Sequence, residues 1–526
     1  MTTRPLGAQI SHMLKDRGVE VIFGIPGVHN VELYRGIEEA GLRHILARHE
    51  QGAGFMADGY ARATGRPGVA YVITGPGLTN ILTPLGQSYS DSVPVLVIAS
   101  CLNPADLKMG KARLHDMRDQ EAAAATVCDW SLTALDAASA YRLIDRALGD
   151  FAAQRPRPRA LHVPIEVLGA LAQPPREAGR RSEPPRASDV TRAATMIERS
   201  RRPVFIFGGG AARGHEAARA VLARRHAASF VTGAGRGIPA PGDPLHFGAT
   251  LARPDSASVL ARADLVVAVG TELSETDLWR DTLGHRCPLI RVDLDPAELF
   301  DPVPAELAIC GDAADFLAAL AEKLPAGDSD WTAAEVAQAR ARFRAEVDAD
   351  RPGILPVAEA MQAALPAETI CYSDMTQLAY VANEVLDLPA PGQWHHPWGF
   401  GTLGYALPAA IGGKVGRPDR PVVAIAGDYG LQYTLPELGT AVELGLPLPV
   451  IVWDNGKLKE IEDSMQRSQI APNAVVARNP DFLALARAYG AGAAEPASLS
   501  DLRKVLNDAL AATGPTVIRL TPAILG

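Results

Sequence analysis

The feature that most restricts the fold is a succession of short apolar runs closed off by glycine and proline. They are Val19–Phe23, Val69–Ile73, Val95–Ala99, Val204–Phe207, Leu265–Val269, Leu289–Val292, Val422–Ala426 and Val450–Trp453. A strand with one face in water alternates apolar and polar residues, whereas an unbroken apolar run demands burial on both faces, as in a parallel sheet sandwiched by helices. Helix-like segments separate the runs, so the chain reads as α/β. Two stretches break the alternation. Gln173–Ser188 is rich in proline and arginine and has no periodicity; Pro325–Trp331 precedes a charged helix expected over Ala333–Val347 and ending near Pro352. They divide the 526 residues into 1–172, 189–325 and 350–526, each long enough to bury a core of its own.

The first and last segments repeat one order of features. Gly59-Tyr60-Ala61 is followed by Arg66-Pro67-Gly68-Val69-Ala70-Tyr71-Val72-Ile73, a turn at Gly75-Pro76-Gly77, then Leu85-Gly86 and Val93-Pro94-Val95-Leu96-Val97-Ile98. Later come Gly404-Tyr405-Ala406, Arg420-Pro421-Val422-Val423-Ala424-Ile425, a turn at Gly427-Asp428-Tyr429-Gly430, Leu438-Gly439, and Leu448-Pro449-Val450-Ile451-Val452. Any two βαβ units look somewhat alike, but five features in one order favour a duplicated domain. Two related α/β domains flanking a third imply a ligand held between the copies.

Several classes are excluded. The composition, 47% hydrophobic and 21% charged, is that of a globular protein. The longest apolar run is far short of the ~20 residues of a membrane-spanning helix. The beginning, Met1–Gly18, carries no signal-peptide core, and five scattered cysteines without CxxC spacing fit reduced thiols, so a cytoplasmic location is expected. With a formal charge of −9 and no basic cluster, a nucleic-acid partner is not expected.

The chemistry-bearing residues gather at strand ends. Asp428 follows an apolar run directly and Asn455 follows the next, so both side-chain oxygens fall on the carboxyl edge of one sheet, where ligands bind in parallel α/β folds. One carboxylate and one amide oxygen, with positions left for phosphate oxygens, suit Mg²⁺. Backbone amides of the turn at Gly427, Tyr429 and Gly430 and the following helix start would take the phosphates. Taken singly, such residues are ordinary turn and cap formers; their pairing on consecutive strands points to a metal. Thr376 and Gln377, after an expected strand Thr369–Tyr372, form another phosphate-edge loop.

Gly-Asp followed after this interval by Asn resembles the diphosphate motif of the thiamine-diphosphate-dependent family that includes acetolactate synthase and the benzoylformate and pyruvate decarboxylases. Further matching blocks are Phe23–Gly27, Arg48–Ala53, Met56–Arg62, Thr74–Asn80 and Gly401–Ala410. The resemblance implies a pyrimidine-binding domain, a Rossmann-like central domain and a diphosphate-binding domain, with the site formed between two subunits of a homodimer or homotetramer. It implies thiamine diphosphate and Mg²⁺ as cofactors, Asp428, Asn455 and the backbone carbonyl of Lys457 as metal ligands, and Leu458 beside the cofactor. Glu50 matches the acid that activates the cofactor through its aminopyrimidine ring, Leu403 the apolar wedge that bends it, and Gly401 a carbonyl for its amino group. Two departures stand out: Tyr429 replaces the usual third-position glycine, and Asp454 the usual first asparagine.

In the resemblance, the helix after the metal loop lines the substrate pocket, which places Glu460, Ile461 and Ser464 inward. An unpaired carboxylate there is costly, and a cationic guanidinium would favour it. Gly24–Gly36, Gly427–Gly430 and Ile461–Met465 look closest to members that decarboxylate 5-guanidino-2-oxopentanoate to 4-guanidinobutanal and carbon dioxide. His29, His115 and Gln120 are candidates for proton relay or carboxylate binding, and in the resemblance Gln120 matches a pocket glutamine of the synthases. The leading expectation is a non-oxidative 2-oxo acid decarboxylase. A carboligase joining two 2-oxo acids is the alternative. Gly208-Gly209-Gly210 resembles a dinucleotide turn without the full spacing, a vestigial nucleotide site rather than an occupied one; an oxidoreductase built on it would leave Glu50, Asp428 and Asn455 unexplained.

Overall fold

The computed structural model describes residues 2–175, 185–299, 304–476 and 478–525. Most of the Gln173–Ser188 linker therefore lies outside the described residues. Each apolar run named above forms a strand, and three wholly parallel sheets result.

The first sheet contains β1 (Val21–Gly24), β2 (Arg43–Leu46), β3 (Gly68–Val72), β4 (Val95–Cys101), β5 (Trp130–Thr133) and β6 (Arg159–Pro164). Its order is β2-β1-β3-β4-β6-β5. The central sheet comprises β7 (Pro203–Phe207), β8 (Ala228–Val231), β9 (Leu265–Val269), β10 (Leu289–Asp293) and β11 (Leu307–Cys310), in the order β8-β7-β9-β10-β11. The last holds β12 (Ile370–Ser373), β13 (Trp394–His395), β14 (Val422–Gly427), β15 (Pro449–Trp453), β16 (Gly492–Ala494) and β17 (Thr516–Leu520). It is ordered β13-β12-β14-β15-β17-β16, the topology of the first sheet strand for strand. The duplication read from sequence is thus a duplication of fold. β3, β4, β14 and β15 are buried along their full length, which explains why their sequences lack alternation.

The terminal domains meet through two helices, Glu50–Thr64 and Ala406–Gly416. Glycine permits the approach: a Cβ on Gly59 would lie 2.0 Å from the Ala409 carbonyl oxygen, and one on Gly412 1.9 Å from that of Met56. Around this contact, Tyr372 donates its hydroxyl to the Gly59 carbonyl (2.7 Å) and Tyr405 to Asp58 (2.8 Å). Arg62 ties Asp58 (2.6 Å) to Asp91 (2.8 Å), and Asp91 accepts the Gly399 amide of the last domain (2.9 Å). The charged helix expected after Pro325–Trp331 runs over Ala333–Asp350, capped by Thr332. Among the described residues no helix is long and apolar enough to cross a membrane, and the five cysteines are free.

Candidate functional site

Glu50 is the first residue of its helix, directly after the β2 edge. A helix begins here because His49 caps it, Nδ1 accepting from the Gln51 amide (3.1 Å), and because Gly52–Ala61 form a buried face. The half-buried Glu50 carboxylate faces the start of the helix Pro76–Ser90. Asn80 donates its amide to Oε2 (2.9 Å), and a Cβ on Gly77 would sit 3.3 Å from Oε1.

The same turn gathers the two candidate histidines. The His29 and His115 rings meet edge to face with centroids 5.0 Å apart, and His115 packs on Gly75, where a Cβ would lie 2.9 Å from its own. Nδ1 of each is buried without a hydrogen-bond partner. Burial, aided by the neighbouring His115, lowers the pKa of His29, so it is neutral at pH 7 and offers a lone pair as well as a proton.

Gln120 has its side-chain amide engaged within the fold. It donates to the Ser100 carbonyl (2.7 Å), contacts His162 Nδ1 (3.0 Å) and accepts from the Thr74 hydroxyl (2.6 Å). Its polar atoms are engaged in bracing the Thr74 turn. It still borders a cavity of about 300 Å³, walled by Cys101, Leu102, Leu107, Met117 and Leu135.

At the other end, Asp374 organises the edge. This buried carboxylate, its pKa pushed up to about 6 by burial against the pull of surrounding amides, accepts from the Met375 amide (2.8 Å) and the Gly404 amide (2.8 Å). A Cβ on Gly430 would meet its Oδ2 at 2.6 Å. Asp374 thereby joins three turns: 374–377, the 401–404 turn carrying Gly401 (φ +65°) and half-buried Leu403, and the 427–430 turn. Thr376 packs against Gly427, where a Cβ would lie 3.2 Å from the threonine side chain.

Asp428 begins the helix Asp428–Tyr433, 3% exposed. Its Oδ1 accepts from the Tyr429 amide (3.0 Å), so that amide is turned to Asp428. Its Oδ2 accepts from the side chain of Asn479 (2.6 Å). Burial raises the Asp428 pKa, and nearby Asp454 raises it further. Among the described residues no cationic side chain pairs with it. Asn455 follows β15 and accepts the Lys457 amide (3.1 Å), closing the turn through Gly456 (φ +67°) and into Leu458, whose amide bonds the Val475 carbonyl (2.8 Å). Asp428 also draws on the Gly456 amide of that turn, and a buried carboxylate without a cationic partner among the described residues suits a hard divalent cation.

Sequence reading missed Asn479 and Arg519. The Asn479 amide bridges Asp428 and Asp454 (2.9 Å to the latter), and Arg519 on β17 holds the other Asp454 oxygen at 2.7 Å. The charge that Asp454 adds is thus compensated within the fold. The signal available for Asn479 was its place before Asp481, the cap of the helix Phe482–Tyr489; nothing in sequence spacing brings Arg519 to Asp454.

On the helix Lys459–Arg467, Glu460 is held bidentately by Arg351 (2.8 and 3.2 Å) and also accepts from Gln377 (3.0 Å). The expected cationic partner is therefore present within the chain. Ile461, 50% exposed, and Ser464 both lie open to solvent rather than inward, whereas the buried acid of this helix is Glu462, paired with Lys457 at 3.0 Å. In the central domain, the Gly208 and Gly210 amides donate to the Val269 and Gly270 carbonyls (3.0 and 3.1 Å), and a Cβ on Gly208 would lie 2.3 Å from the Gly270 oxygen. Those glycines serve packing of one strand end on its neighbour.

A duplicated parallel α/β fold, with a half-buried acid on one sheet edge and a buried carboxylate among turn amides on its twin, is the architecture of an α/β enzyme. The chain matches the thiamine pyrophosphate enzyme N-terminal TPP binding domain over residues 4–123, the central domain over 190–320 and the C-terminal TPP binding domain over 374–520. It is 44% identical to the probable 2-ketoarginine decarboxylase AruI of Pseudomonas aeruginosa, covering 99% of this chain and 94% of that one. It is 30% identical to the acetolactate synthase large subunit of Parasynechococcus marenigrum (97% and 86% covered), and 29% to the isozyme 2 large subunit of Escherichia coli (98% and 95%). The protein belongs to the thiamine pyrophosphate enzymes.

Proposed function

We propose that this chain is a non-oxidative decarboxylase of a basic 2-oxo acid, converting 5-guanidino-2-oxopentanoate to 4-guanidinobutanal and carbon dioxide with thiamine diphosphate and Mg²⁺. The observation that carries the reading is the near-full-length likeness to a 2-ketoarginine decarboxylase. The residues of both edges fit the cofactor. Asp428, Asn455 and the Lys457 carbonyl would hold Mg²⁺, Thr376, Gln377 and the 427–430 turn would border the diphosphate, and Gly401, Leu403 and Leu458 the rings. When bound, thiamine diphosphate supplies a carbon nucleophile and an electron sink for the carbon–carbon cleavage. Glu50 would hold a proton at its carboxyl group, shared with the aminopyrimidine ring and kept in line by Asn80. Neutral His29, with His115 against it, offers a nitrogen to the substrate carboxylate or to the proton that replaces it.

Among the described residues no hydrogen bond or ion pair joins Glu50 to the Asp428 or Asn455 turns. A second copy of the chain would complete the site, giving a homodimer or a pair of dimers. Exposed apolar side chains on both edges support this: Val28 and Leu114 on one, Tyr433, Ile461 and Val476 on the other, all more than half exposed except Ile461 at 50%. The free cysteines and acidic charge fit a cytoplasmic enzyme.

Glu460 is the proposed selectivity residue, with Arg351 and Gln377 as resting partners that a substrate guanidinium would have to displace. Carbon dioxide release from a panel of 2-oxo acids, with and without thiamine diphosphate, tests the function. A cofactor-dependent preference for the guanidino acid supports it, and Glu460→Ala should narrow that preference over aliphatic acids about tenfold. Equal selectivity in the variant removes Glu460 from the proposal. The acetolactate synthase relatives favour a second reading, in which a hydroxy-oxo acid accumulates instead of the aldehyde.

A further inference from the structure

We propose that Glu437, in the last domain, is a positioning residue that sets the orientation of Glu50 in the first domain of the same chain. The inference rests on the reading of Glu50 as the activating acid. Glu437 opens the helix Glu437–Glu443, a short way beyond Asp428, and is 1% exposed. Its Oε1 accepts the backbone amides of both Arg48 and His49 at 3.0 Å, and its Oε2 accepts the Thr440 hydroxyl at 2.8 Å and the Arg48 amide at 3.2 Å.

These two amides belong to the strand-to-helix turn immediately before Glu50, where a helix leaves its first donors without internal partners. They are served from a domain separated by most of the chain. The helix sequence yields to the contact, because a Cβ at Gly52 would stand 2.1 Å from Glu437 Oε1. A carboxylate taken fully out of water is costly, and burial raises the pKa of Glu437 against the pull of its donors. Fixing two consecutive amides is what offsets that cost: charge-assisted bonds are about twice as strong as neutral ones and hold the backbone in one place. Among the described residues the Asn80 amide is the one side-chain partner of Glu50, so its aim depends on where its backbone is held. A misplacement of ~1 Å at a catalytic group costs on the order of 100-fold in rate.

The test compares Glu437→Ala, Glu437→Gln and Glu50→Gln in the full-length protein. In the cofactor-free protein, amide hydrogen exchange at residues 48–51 should accelerate in Glu437→Ala and stay near wild type in Glu437→Gln, whose side-chain oxygen still accepts. With saturating thiamine diphosphate and Mg²⁺, Glu437→Ala should lose about 30–100-fold in kcat on the best 2-oxo acid while KM moves less than about threefold. Exchange of the cofactor C2 proton should slow in parallel, and Glu437→Gln should recover most of both. If Glu437→Ala does not fold, Gly52→Ala, which displaces the carboxylate and keeps it, should show the same pattern. Unchanged kcat and C2 exchange in a folded Glu437→Ala or Gly52→Ala protein overturn the proposal. So does a Glu437→Gln loss equal to that of alanine with residues 48–51 still protected. Full turnover in Glu50→Gln would instead overturn the reading of Glu50 itself.

Discussion

The two terminal sheets share one strand order and present opposite chemistry at equivalent edges. In the first, the helix resumes soon after β2 and its opening residue, Glu50, is the acid; the turn after β3, Thr74–Gly77, carries none. In the last, a long turn, 396–405, intervenes between β13 and its helix and carries Gly401 and Leu403, while the acids stand after β14 and β15 as Asp428 and Asp454. One copy presents a half-buried carboxylate with, among the described residues, a single amide partner. Its twin presents buried carboxylates bound by amides, with Asn479 and Arg519 behind them. A carboxylate that exchanges protons must remain loosely held, and one that anchors a cation must not. The scaffold is common, and the loops decide which kind each edge receives.

That contrast is broken most directly by Glu50→Gln. It should lower kcat by ~10²–10⁴-fold and leave cofactor affinity within a few fold, because only the proposed proton-handling edge is touched. Isothermal titration of thiamine diphosphate beside steady-state kinetics reads both. A comparable loss of cofactor affinity would mean that the first edge anchors as well. The mirror experiment is Asn479→Ala, which removes the bridge between Asp428 and Asp454 without touching a proposed ligand. Mg²⁺ affinity should fall ~10–100-fold, with kcat restored at saturating metal. A kcat defect that excess Mg²⁺ does not repair would contradict the division of labour.

The helices joining the copies sharpen the comparison at smaller scale. Gly412→Ala drives a Cβ onto the Met56 carbonyl, backbone that has little room to move, and should cost about 1–3 kcal/mol in urea unfolding. Gly65→Ala at the end of the first helix meets no atom within 4 Å but occupies φ +69°, so its cost is backbone strain alone, about 1 kcal/mol. An equal cost at the two positions would mean that the domain contact adds nothing.

Much of this was legible in the sequence, and the limits were physical. Strands buried on both faces announce themselves by composition, and Asp428, Asn455 and Glu50 sit where strands end, so local reading reaches them. β6 was harder: it carries Arg159 and His162 in a fully buried strand, where polar groups are tolerated because Asp129 holds the arginine and Gln120 and Ser131 hold the histidine. The Gly-Tyr-Ala repeat proved offset rather than equivalent, Gly59 lying inside its helix and Gly404 before its own at φ +84°, because the 396–405 turn lengthens one copy. Partners distant in sequence, Arg351 with Glu460, Arg519 with Asp454 and Glu437 with Arg48, leave no periodic trace. The resemblance turned Glu460 toward a substrate; the fold pairs it with Arg351.

The smallest expected effect concerns acid stability and again separates the copies. His162, buried between Gln120 and Ser131 in the first sheet, has its pKa lowered from the ordinary 6.5 to about 4 by burial. The unfolded chain then binds a proton that the native state refuses, so stability is full above pH 6.5 and falls as pH drops toward 4. Between pH 7.5 and 5.5 this group alone should remove about 1 kcal/mol. Replacing it by asparagine, which neither titrates nor empties the site, should flatten that part of the urea-midpoint profile. His395 and His396, lowered by burial to about 3 at the β13 end, would still give the last domain its own acid loss. A His162→Asn profile that falls as steeply as wild type would place the pH dependence in other buried histidines, such as His246 of the central domain and His395 and His396 of the last.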